Sequence, residues 1–214
     1  MRTGEQTLPG TEAGRSDTNP QPPDSPSQNP HTPLSVRIYL NGFMASGKSS
    51  VGPRVAARLG LTFIDLDRLI RAHDGRSIPD IFAEGGEDEF RALERAALRR
   101  TADPDDLVVA LGGGALVADE NRSFAKEHGR IVYLKVDPDT ILERVGDEAD
   151  RRPLLQDETG TPLSRDRMRE RVERMLDDRA EAYRDAHATI DARPPLDAVV
   201  DAVTATVRER GWVG

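Results

Sequence analysis

The chain has 214 residues, a formal net charge of −8 and no cysteine. This length suits one domain with a sizeable core, and the negative charge argues against nonspecific binding to nucleic acid or to anionic membranes. The lack of cysteine excludes disulfides and thiolate metal sites and fits a reducing cytoplasm, which is the predicted location. No apolar stretch reaches the length of a membrane span, so no membrane association is expected.

The first 33 residues differ in composition from the rest of the chain. They contain 7 of the 15 prolines and offer only Met1, Leu8 and Ala13 as apolar residues. Such a segment cannot bury enough surface to offset its ordering entropy. It lacks the apolar region of a secretory signal and has too few arginines for a transit peptide. Residues 1–33 are therefore predicted to be a disordered tail, and residues 34–214 to be the folded domain.

Residues 42–49, GFMASGKS, match the phosphate-binding pattern G-x-x-x-x-G-K-[ST] at every fixed position. Backbone N–H groups of such a P-loop cradle phosphate oxygens, and the N-terminus of the following helix adds to the attraction. Lys48 should then reach the β- and γ-phosphates of a nucleotide, and the Ser49 hydroxyl should ligate Mg²⁺. The candidate nucleotide-binding residues of the loop are Ala45, Ser46, Gly47, Lys48, Ser49 and Ser50.

The residues on either side of this loop predict the strand and the helix that a P-loop requires. Residues 36–41 alternate β-branched, aromatic and aliphatic side chains, which is typical of a strand. Residues 49–59 carry apolar side chains at helical spacing, and Gly60 ends the pattern. Pro53 lies early in this helix, so a slight bend is expected rather than a break.

A second strand is predicted at residues 61–67, and it ends in two carboxylates, Asp65 and Asp67. In α/β sheets, ligands bind beyond the carboxyl ends of the strands. Both side chains should therefore face the same crevice as the P-loop. Capping of the next helix is the alternative role for acids at such a junction.

The middle of the chain predicts two helices and a buried strand. Ser77 is a predicted N-cap, and the short helix that it opens should end at residues 85–86, before a longer helix over 87–101. The continuous apolar run at 107–111 predicts a fully buried parallel strand. Three glycines follow at 112–114, where the backbone can approach a ligand closely. A plain flexible turn is the alternative for these glycines.

The remaining residues repeat the alternation of helix and strand. Helices are predicted at 120–127, 138–144, 164–183 and 196–208, and strands at 131–134 and 188–190. The polar span 146–163 is long for a connection in a compact domain and is predicted to be a lid or a binding loop. The alternation as a whole predicts a three-layer α/β fold with a mainly parallel sheet.

Taken together, these motifs resemble those of the shikimate kinases, over about residues 35–208. The resemblance is carried by GFMxxGKS at 42–49, DLD at 65–67, EFR at 89–91 with Glu94, GGG at 112–114, and RPLL at 152–155. It implies a P-loop fold of the nucleoside-monophosphate-kinase type, with a five-stranded parallel sheet in the order 2-3-1-4-5 and a mobile lid. It also implies transfer of the γ-phosphoryl group of ATP, with Mg²⁺ as cofactor, to the 3-hydroxyl of shikimate. The products would be shikimate 3-phosphate and ADP, on the chorismate route to aromatic amino acids.

The resemblance also implies a substrate site. Asp67, Arg91 and the backbone of Gly113 and Gly114 would bind shikimate, with Arg91 on its carboxylate and Asp67 on its ring hydroxyls. Arg179 resembles a second arginine that binds the same carboxylate. Many members have proline two residues after that arginine, where this chain has glutamate.

The same resemblance implies the catalytic groups. Lys48, Mg²⁺ and Arg152, which resembles the arginine of the lid, would neutralise the phosphate oxygens. Asp67 would orient or deprotonate the attacking hydroxyl, and Asp65 would hold Mg²⁺ through a water molecule. Arg144 resembles a further arginine that contacts the nucleotide. Many members have glycine at the position of Ala45.

Two other functions are compatible with these residues. Another small-molecule kinase of this fold, similar to gluconate kinase, would keep Lys48, Ser49 and the lid. It would not need Arg91 and Arg179 around the carboxylate of a ring. A sensor domain that binds nucleotide or shikimate without turnover is the second. The partners expected are ATP and shikimate, without nucleic acid or membrane, and a monomer is expected.

Overall fold

The computed structural model describes residues 36–146, 152–157 and 159–213. The strands, in chain order, are β1 (Arg37–Asn41), β2 (Thr62–Asp65), β3 (Leu107–Ala110), β4 (Arg130–Lys135) and β5 (Ala188–Asp191). The helices are α1 (Lys48–Leu59), α2 (Leu66–Asp74), α3 (Ile78–Arg100), α4 (Asp119–His128), α5 (Pro138–Val145), α6 (Arg165–Asp178), α7 (Ala180–Arg184) and α8 (Leu196–Glu209). The predicted tail and residues 147–151 and 158 of the predicted lid lie outside the described residues. A short 3₁₀ turn, Pro153–Leu155, follows the gap in the lid.

The five strands form one parallel sheet in the order β2-β3-β1-β4-β5, as predicted. Central β1 pairs on one side with β3, where Ile38 lies opposite Val108, and on the other with β4, where Leu40 lies opposite Val132. Because all the strands run in the same direction, the loops after β1, β2 and β3 lie at one edge of the sheet. That edge is where an α/β sheet binds ligands.

Both faces of the sheet are covered, so the middle of β1, residues 38–40, is apolar and buried, as is typical of a parallel strand. Ile38 and Leu40 pack into the cluster that contains the apolar residues of α1 and α8, and Tyr39 faces the cluster formed with α2, α3 and α4. Gly52 lets α1 approach β2, since a Cβ there would lie 2.2 Å from the ring of Phe63. The helix continues across Pro53. In the part of the chain that the structure describes, no helix has the length and apolarity needed to cross a membrane.

The predicted strand at 61–67 was too long. β2 ends at Asp65, because the carboxylate of Asp65 accepts a hydrogen bond from the Arg68 N–H and caps α2. Asp67 therefore lies in the first turn of α2, not at the end of the strand. The helix fixes the direction of its side chain more firmly than a strand terminus would.

Two helix boundaries agree with the prediction and one differs. The Ser77 cap is confirmed, with a capping box to Asp80. Gly86 has the non-helical values φ 72° and ψ −168°, so the short helix ends there as predicted, and α3 consists of two helical segments joined across this kink. The single helix predicted over 164–183 is two helices, because Arg179 has φ −103° and ψ 0° and its N–H turns to the Asp177 carbonyl. This break changes the direction of the Arg179 side chain.

Candidate active site

The loop between β1 and α1 curls back on itself, as a phosphate-binding loop must. Gly42 and Gly47 have φ values of 152° and 95°, which favour glycine. A Cβ on Gly42 would lie 2.7 Å from both the Leu134 carbonyl and the Ser46 hydroxyl. The N–H of Ser46 donates to the Phe43 carbonyl at 3.2 Å and closes the turn.

Ala45 has a left-handed backbone with φ 57°, although it carries a side chain. For an L-residue this conformation costs about 1–2 kcal/mol, whereas glycine adopts it freely. Alanine at position 45, where many of the kinases that the sequence resembles have glycine, therefore adds strain to the loop without changing the path of its backbone.

We expect Ala45→Gly to raise the free energy of unfolding by up to about 1 kcal/mol. Relief of the left-handed strain exceeds the 0.5–1 kcal/mol that glycine loses through the greater freedom of the unfolded chain. Urea unfolding measures the difference. The matched control is Ala92→Gly, an exposed helical position in α3, where a loss of about 1 kcal/mol is expected. A loss of stability in Ala45→Gly as well would show that the loop carries no such strain.

Lys48 is held over the mouth of the loop by the loop's own carbonyls. Its ammonium donates to the carbonyl oxygens of Gly42 and Phe43, each at 2.8 Å. Burial lowers the pKa of Lys48 to about 8, although Asp67 and Asp65 oppose the shift. Phosphate oxygens placed beside this group would raise its pKa again, because negative charge favours the ammonium form.

Ser49 and Asp65 form the oxygen pair that the sequence predicts for Mg²⁺. The Ser49 hydroxyl donates to Asp65 Oδ2 at 2.9 Å. Within the described ranges, no group of three or more histidine, cysteine, aspartate or glutamate side chains could hold a metal ion. The pair nevertheless fits Mg²⁺, which is commonly bound by one or two protein oxygens, with water and substrate phosphates completing its coordination.

Two buried carboxylate oxygens meet at the glycine loop. Asp67 Oδ1 and Glu94 Oε1 are buried, and neither has a hydrogen-bond partner among the residues described. A Cβ on Gly112 would lie 2.6 Å from Glu94 Oε1 and 3.5 Å from Asp67 Oδ1, so a side chain there would have to displace the Glu94 carboxylate. Burial raises the pKa of Asp67, and the negative charge of Asp65 adds to the effect. An unpartnered acceptor in this position suits a ligand that brings hydroxyl donors.

Arg91 lies on the other side of the same loop. Its guanidinium donates to Glu94 Oε2 at 2.7 Å and to Glu87 Oε1 at 3.1 Å. A Cβ on Gly114 would lie 3.1 Å from Arg91 Nη2. The side chain remains 35% exposed, so an anionic ligand can reach it.

Arg179 reaches the loop from the break between α6 and α7. Its guanidinium donates to the Gly113 carbonyl at 3.2 Å and lies over the ring of Phe43, 5.4 Å from the centroid. The structure thus brings together the residues proposed for the substrate, with Arg91 beside Gly114 and Arg179 on Gly113. The sequence predicted the residue but not the helix break that directs it.

A cleft of about 540 Å³ lies beside the P-loop. Its lining includes four P-loop residues predicted to bind nucleotide, Ala45, Ser46, Gly47 and Ser50, and the two arginines with the same predicted role, Arg144 and Arg152. Arg144 donates to the Ala45 carbonyl at 3.2 Å and to the Ala192 carbonyl at 2.6 Å, so it joins the P-loop to the segment after β5.

Sequence reasoning missed the opposite wall of this cleft. Residues 192–196, between β5 and α8, line it. The only signal in the sequence was a pair of prolines at 194–195, which indicated a turn and nothing more. Their place beside the P-loop follows from the position of β5 in the sheet.

Comparison with known proteins agrees with this geometry. A family model described as shikimate kinase matches residues 44–208. A shikimate kinase from Salinibacter ruber (strain DSM 13855 / M31) is 61% identical over 175 residues, which cover 82% of this chain and 86% of that protein.

Two solved structures are similar over most of the chain. Shikimate kinase from Acinetobacter baumannii, in complex with shikimate, has a TM-score of 0.73 and 32% identity, covering 83% of this chain and 95% of that one. Shikimate kinase from Bacteroides thetaiotaomicron has a TM-score of 0.72 and 29% identity, covering 81% and 98%. With the sheet order and the P-loop, these matches confirm the predicted fold. The chain belongs to the shikimate kinase family.

Proposed function

We propose that this chain phosphorylates shikimate on its 3-hydroxyl group at the site described above. It is an ATP-dependent shikimate kinase, a transferase of the shikimate pathway, given its family and its 61% identity to a named member. The structural observation that best supports the site is the convergence of Asp67, Arg91 and Arg179 on the glycine loop beside Lys48.

The nucleotide occupies the cleft beside the P-loop. The loop's N–H groups and Lys48 bind its phosphates, and Arg152, which lines the cleft, neutralises charge on the γ-phosphate side. Phosphoryl transfer requires little covalent chemistry from the protein and depends on positioning and charge neutralisation. A cleft that combines a P-loop lysine with an arginine of the lid provides both.

Ser49 would ligate Mg²⁺, and Asp65 would hold the ion through a water molecule. Their 2.9 Å contact supports this assignment, because it keeps both oxygens on one side of the loop. When bound, the ion neutralises the charge on the β- and γ-phosphate oxygens.

The carboxylate of shikimate binds between Arg91 and Arg179. Guanidinium groups bind carboxylates through two parallel hydrogen bonds, and these two reach the loop from separate helices. The ring hydroxyls then face Asp67, whose buried Oδ1 has no hydrogen-bond partner in the part of the chain described here.

Asp67 accepts the proton of the attacking hydroxyl. Burial and the neighbouring Asp65 raise the pKa of Asp67, which brings it closer to the working pH of a general base. The hydroxyl oxygen gains the phosphoryl group as the bond to the β–γ bridging oxygen of ATP breaks. The proton passes to the Asp67 carboxylate.

The geometry does not favour either alternative function. Gluconate also carries a carboxylate, so the two arginines alone do not favour it over shikimate, whereas the family match favours shikimate. A sensor without turnover would not need the buried carboxylate of Asp67 beside the P-loop lysine.

A coupled ADP-release assay with Mg-ATP tests the proposal. Shikimate, gluconate and nucleoside monophosphates are supplied one at a time as the acceptor, and their rates are compared. Turnover with shikimate alone is expected, and the position of the phosphate in the product identifies the hydroxyl. Turnover with gluconate alone would contradict the substrate site and leave the nucleotide site intact. ATP binding without turnover on any acceptor would support the sensor.

The domain boundaries, location, partners and oligomeric state of the enzyme are part of the same proposal. Residues 1–33 are a tail that precedes the kinase domain, which spans 34–214 with a lid at about 146–163. The enzyme acts as a cytoplasmic monomer, with no nucleic acid or membrane partner. The net charge of −8 argues against a nucleic-acid or anionic-membrane partner, and the lack of cysteine fits a reducing cytoplasm.

Deleting residues 1–33 is expected to leave kcat and the KM values for shikimate and ATP unchanged within about twofold. Every group assigned above lies between Ala45 and Arg179, and the tail has only three apolar residues besides its prolines with which to pack. Steady-state kinetics of the two chain lengths measure the effect. A large fall in kcat/KM would assign the tail a part in the site.

A further inference from the structure

The Gly113 carbonyl accepts hydrogen bonds from two side chains. Arg179 Nη1 donates to it at 3.2 Å and the Tyr183 hydroxyl at 2.8 Å. The two residues belong to one helical turn, since the Tyr183 N–H donates to the Arg179 carbonyl at 3.0 Å. One turn of the chain therefore presents two donors to a single oxygen of the glycine loop.

Tyr183 is a fixed donor. The residue is 3% exposed, and its ring stacks on Tyr133 of β4 with the centroids 4.7 Å apart and the planes 12° apart. Burial raises the pKa of Tyr183 to about 12, so its hydroxyl keeps its proton at any working pH. The stack leaves the ring little freedom to move when a ligand binds.

Arg179 has two tasks that compete for its guanidinium. Without substrate it donates to the Gly113 carbonyl and lies over Phe43. To hold the shikimate carboxylate with parallel hydrogen bonds it must turn its donors toward the ligand. The Gly113 carbonyl would then lose a donor at the moment when the site closes around the substrate and excludes water, and an unmade buried hydrogen bond is unfavourable.

We propose that Tyr183 is a positioning residue that keeps the Gly113 carbonyl hydrogen-bonded while Arg179 turns to the carboxylate of the substrate. This inference rests on the roles proposed above for Arg179 and the glycine loop. Because the shorter of the two hydrogen bonds comes from Tyr183, the loop keeps its orientation when Arg179 leaves. The neighbouring N–H groups of Gly113 and Gly114 then stay directed at the substrate.

The test is Tyr183→Phe, which removes one hydroxyl and keeps the ring in its stack. The expected result is a rise of about 3- to 10-fold in the KM for shikimate, the effect of one neutral hydrogen bond. The KM for ATP and kcat should change by less than about twofold. The matched control is Tyr133→Phe, because the other ring of the stack has a hydroxyl that makes no hydrogen bond within the described residues. Equal effects of the two variants would overturn the proposal in favour of packing.

A double-mutant cycle with Arg179→Ala then separates positioning from any other role. Without the arginine no guanidinium is held at the carbonyl, so the Tyr183 hydroxyl alone keeps its hydrogen bond to Gly113. Tyr183→Phe should therefore still raise the KM for shikimate about 3- to 10-fold in that background. Loss of the effect would overturn the proposal, because Tyr183 would then act only through Arg179, with which it also shares a hydrogen bond. Circular dichroism and the urea midpoint of each variant identify any loss of folding.

The cycle also distinguishes this inference from the proposed function. Arg179→Ala alone should raise the KM for shikimate. If it does and Tyr183→Phe does not, only the inference about Tyr183 fails. If Arg179→Ala has no effect, the assignment of Arg179 to the substrate fails, and the inference fails with it.

Discussion

Asp67→Asn is expected to lower kcat with shikimate about 10²- to 10⁴-fold, the usual contribution of a general base. Asparagine has nearly the same shape as aspartate and can still hydrogen-bond a ring hydroxyl, but it cannot accept a proton. Shikimate should therefore still bind. Stopped-flow or steady-state assays give kcat, and calorimetry gives the dissociation constant. Loss of turnover together with loss of binding would make Asp67 a binding residue only.

The pH dependence provides a second readout of the same variant. The carboxylate form of Asp67 is the base, and burial raises its pKa. In the wild type, kcat/KM should therefore fall as the pH drops through this raised pKa, and Asp67→Asn should lack this acid limb. On the alkaline side, the ammonium of Lys48 is lost as the pH rises through about 8 in the free enzyme. That limb should remain in the variant but move to lower pH, because the charge of Asp67 raises the pKa of Lys48.

Asp88→Asn is the matched control, because Asp88 is an exposed carboxylate of α3. It removes the same charge from the protein without touching the glycine loop. Its kcat and its acid limb should match those of the wild type. If both variants lowered kcat or lost the acid limb, the cause would be the change in net charge and not the loss of the general base.

The sequence predicted the loops and strands that surround this site, because the sequence patterns that identify them are local. The P-loop pattern at 42–49, the apolar run at 107–111 and the glycines at 112–114 each act over a few residues, and parallel strands align their loops at one edge. The sheet order came from the family resemblance, and the structure confirms it.

What the sequence could not supply depends on contacts between distant residues. The pKa of Asp67 is raised by burial, and that burial exists only when α2, α3 and the glycine loop have packed together. The break at Arg179 is equally non-local, since the helical pattern runs through it. Its guanidinium ends on Gly113, 66 positions earlier in the chain.

Arg91→Ala is expected to raise the KM for shikimate about 10²-fold or more and to change the KM for ATP by less than about threefold. Loss of one partner of a buried, hydrogen-bonded charge pair costs about 2–5 kcal/mol. The bound carboxylate would keep only Arg179. ATP binds at the P-loop and does not require this arginine. Separate titrations of the two substrates measure both constants, and equal effects on the two would mean that Arg91 is structural.

Another arginine of the same helix provides the control. Arg95 pairs with Glu120 at 2.6 Å on the surface, and the two side chains are 40% and 51% exposed. Such exposed pairs contribute about 0–1 kcal/mol. Arg95→Ala should therefore leave both KM values unchanged, although the sequence alone does little to separate the two residues.

The truncation of Arg91 has a second consequence, which must be separated from the loss of substrate contact. It leaves the buried carboxylate of Glu94 without the guanidinium that pairs with it at 2.7 Å, and an unpaired buried charge destabilises the fold. Arg91→Lys keeps the positive charge near Glu94 but loses the planar pair of donors. If the carboxylate of shikimate requires that pair, the lysine variant should recover stability in urea without recovering the KM for shikimate. Recovery of both would mean that the site needs only the charge of Arg91.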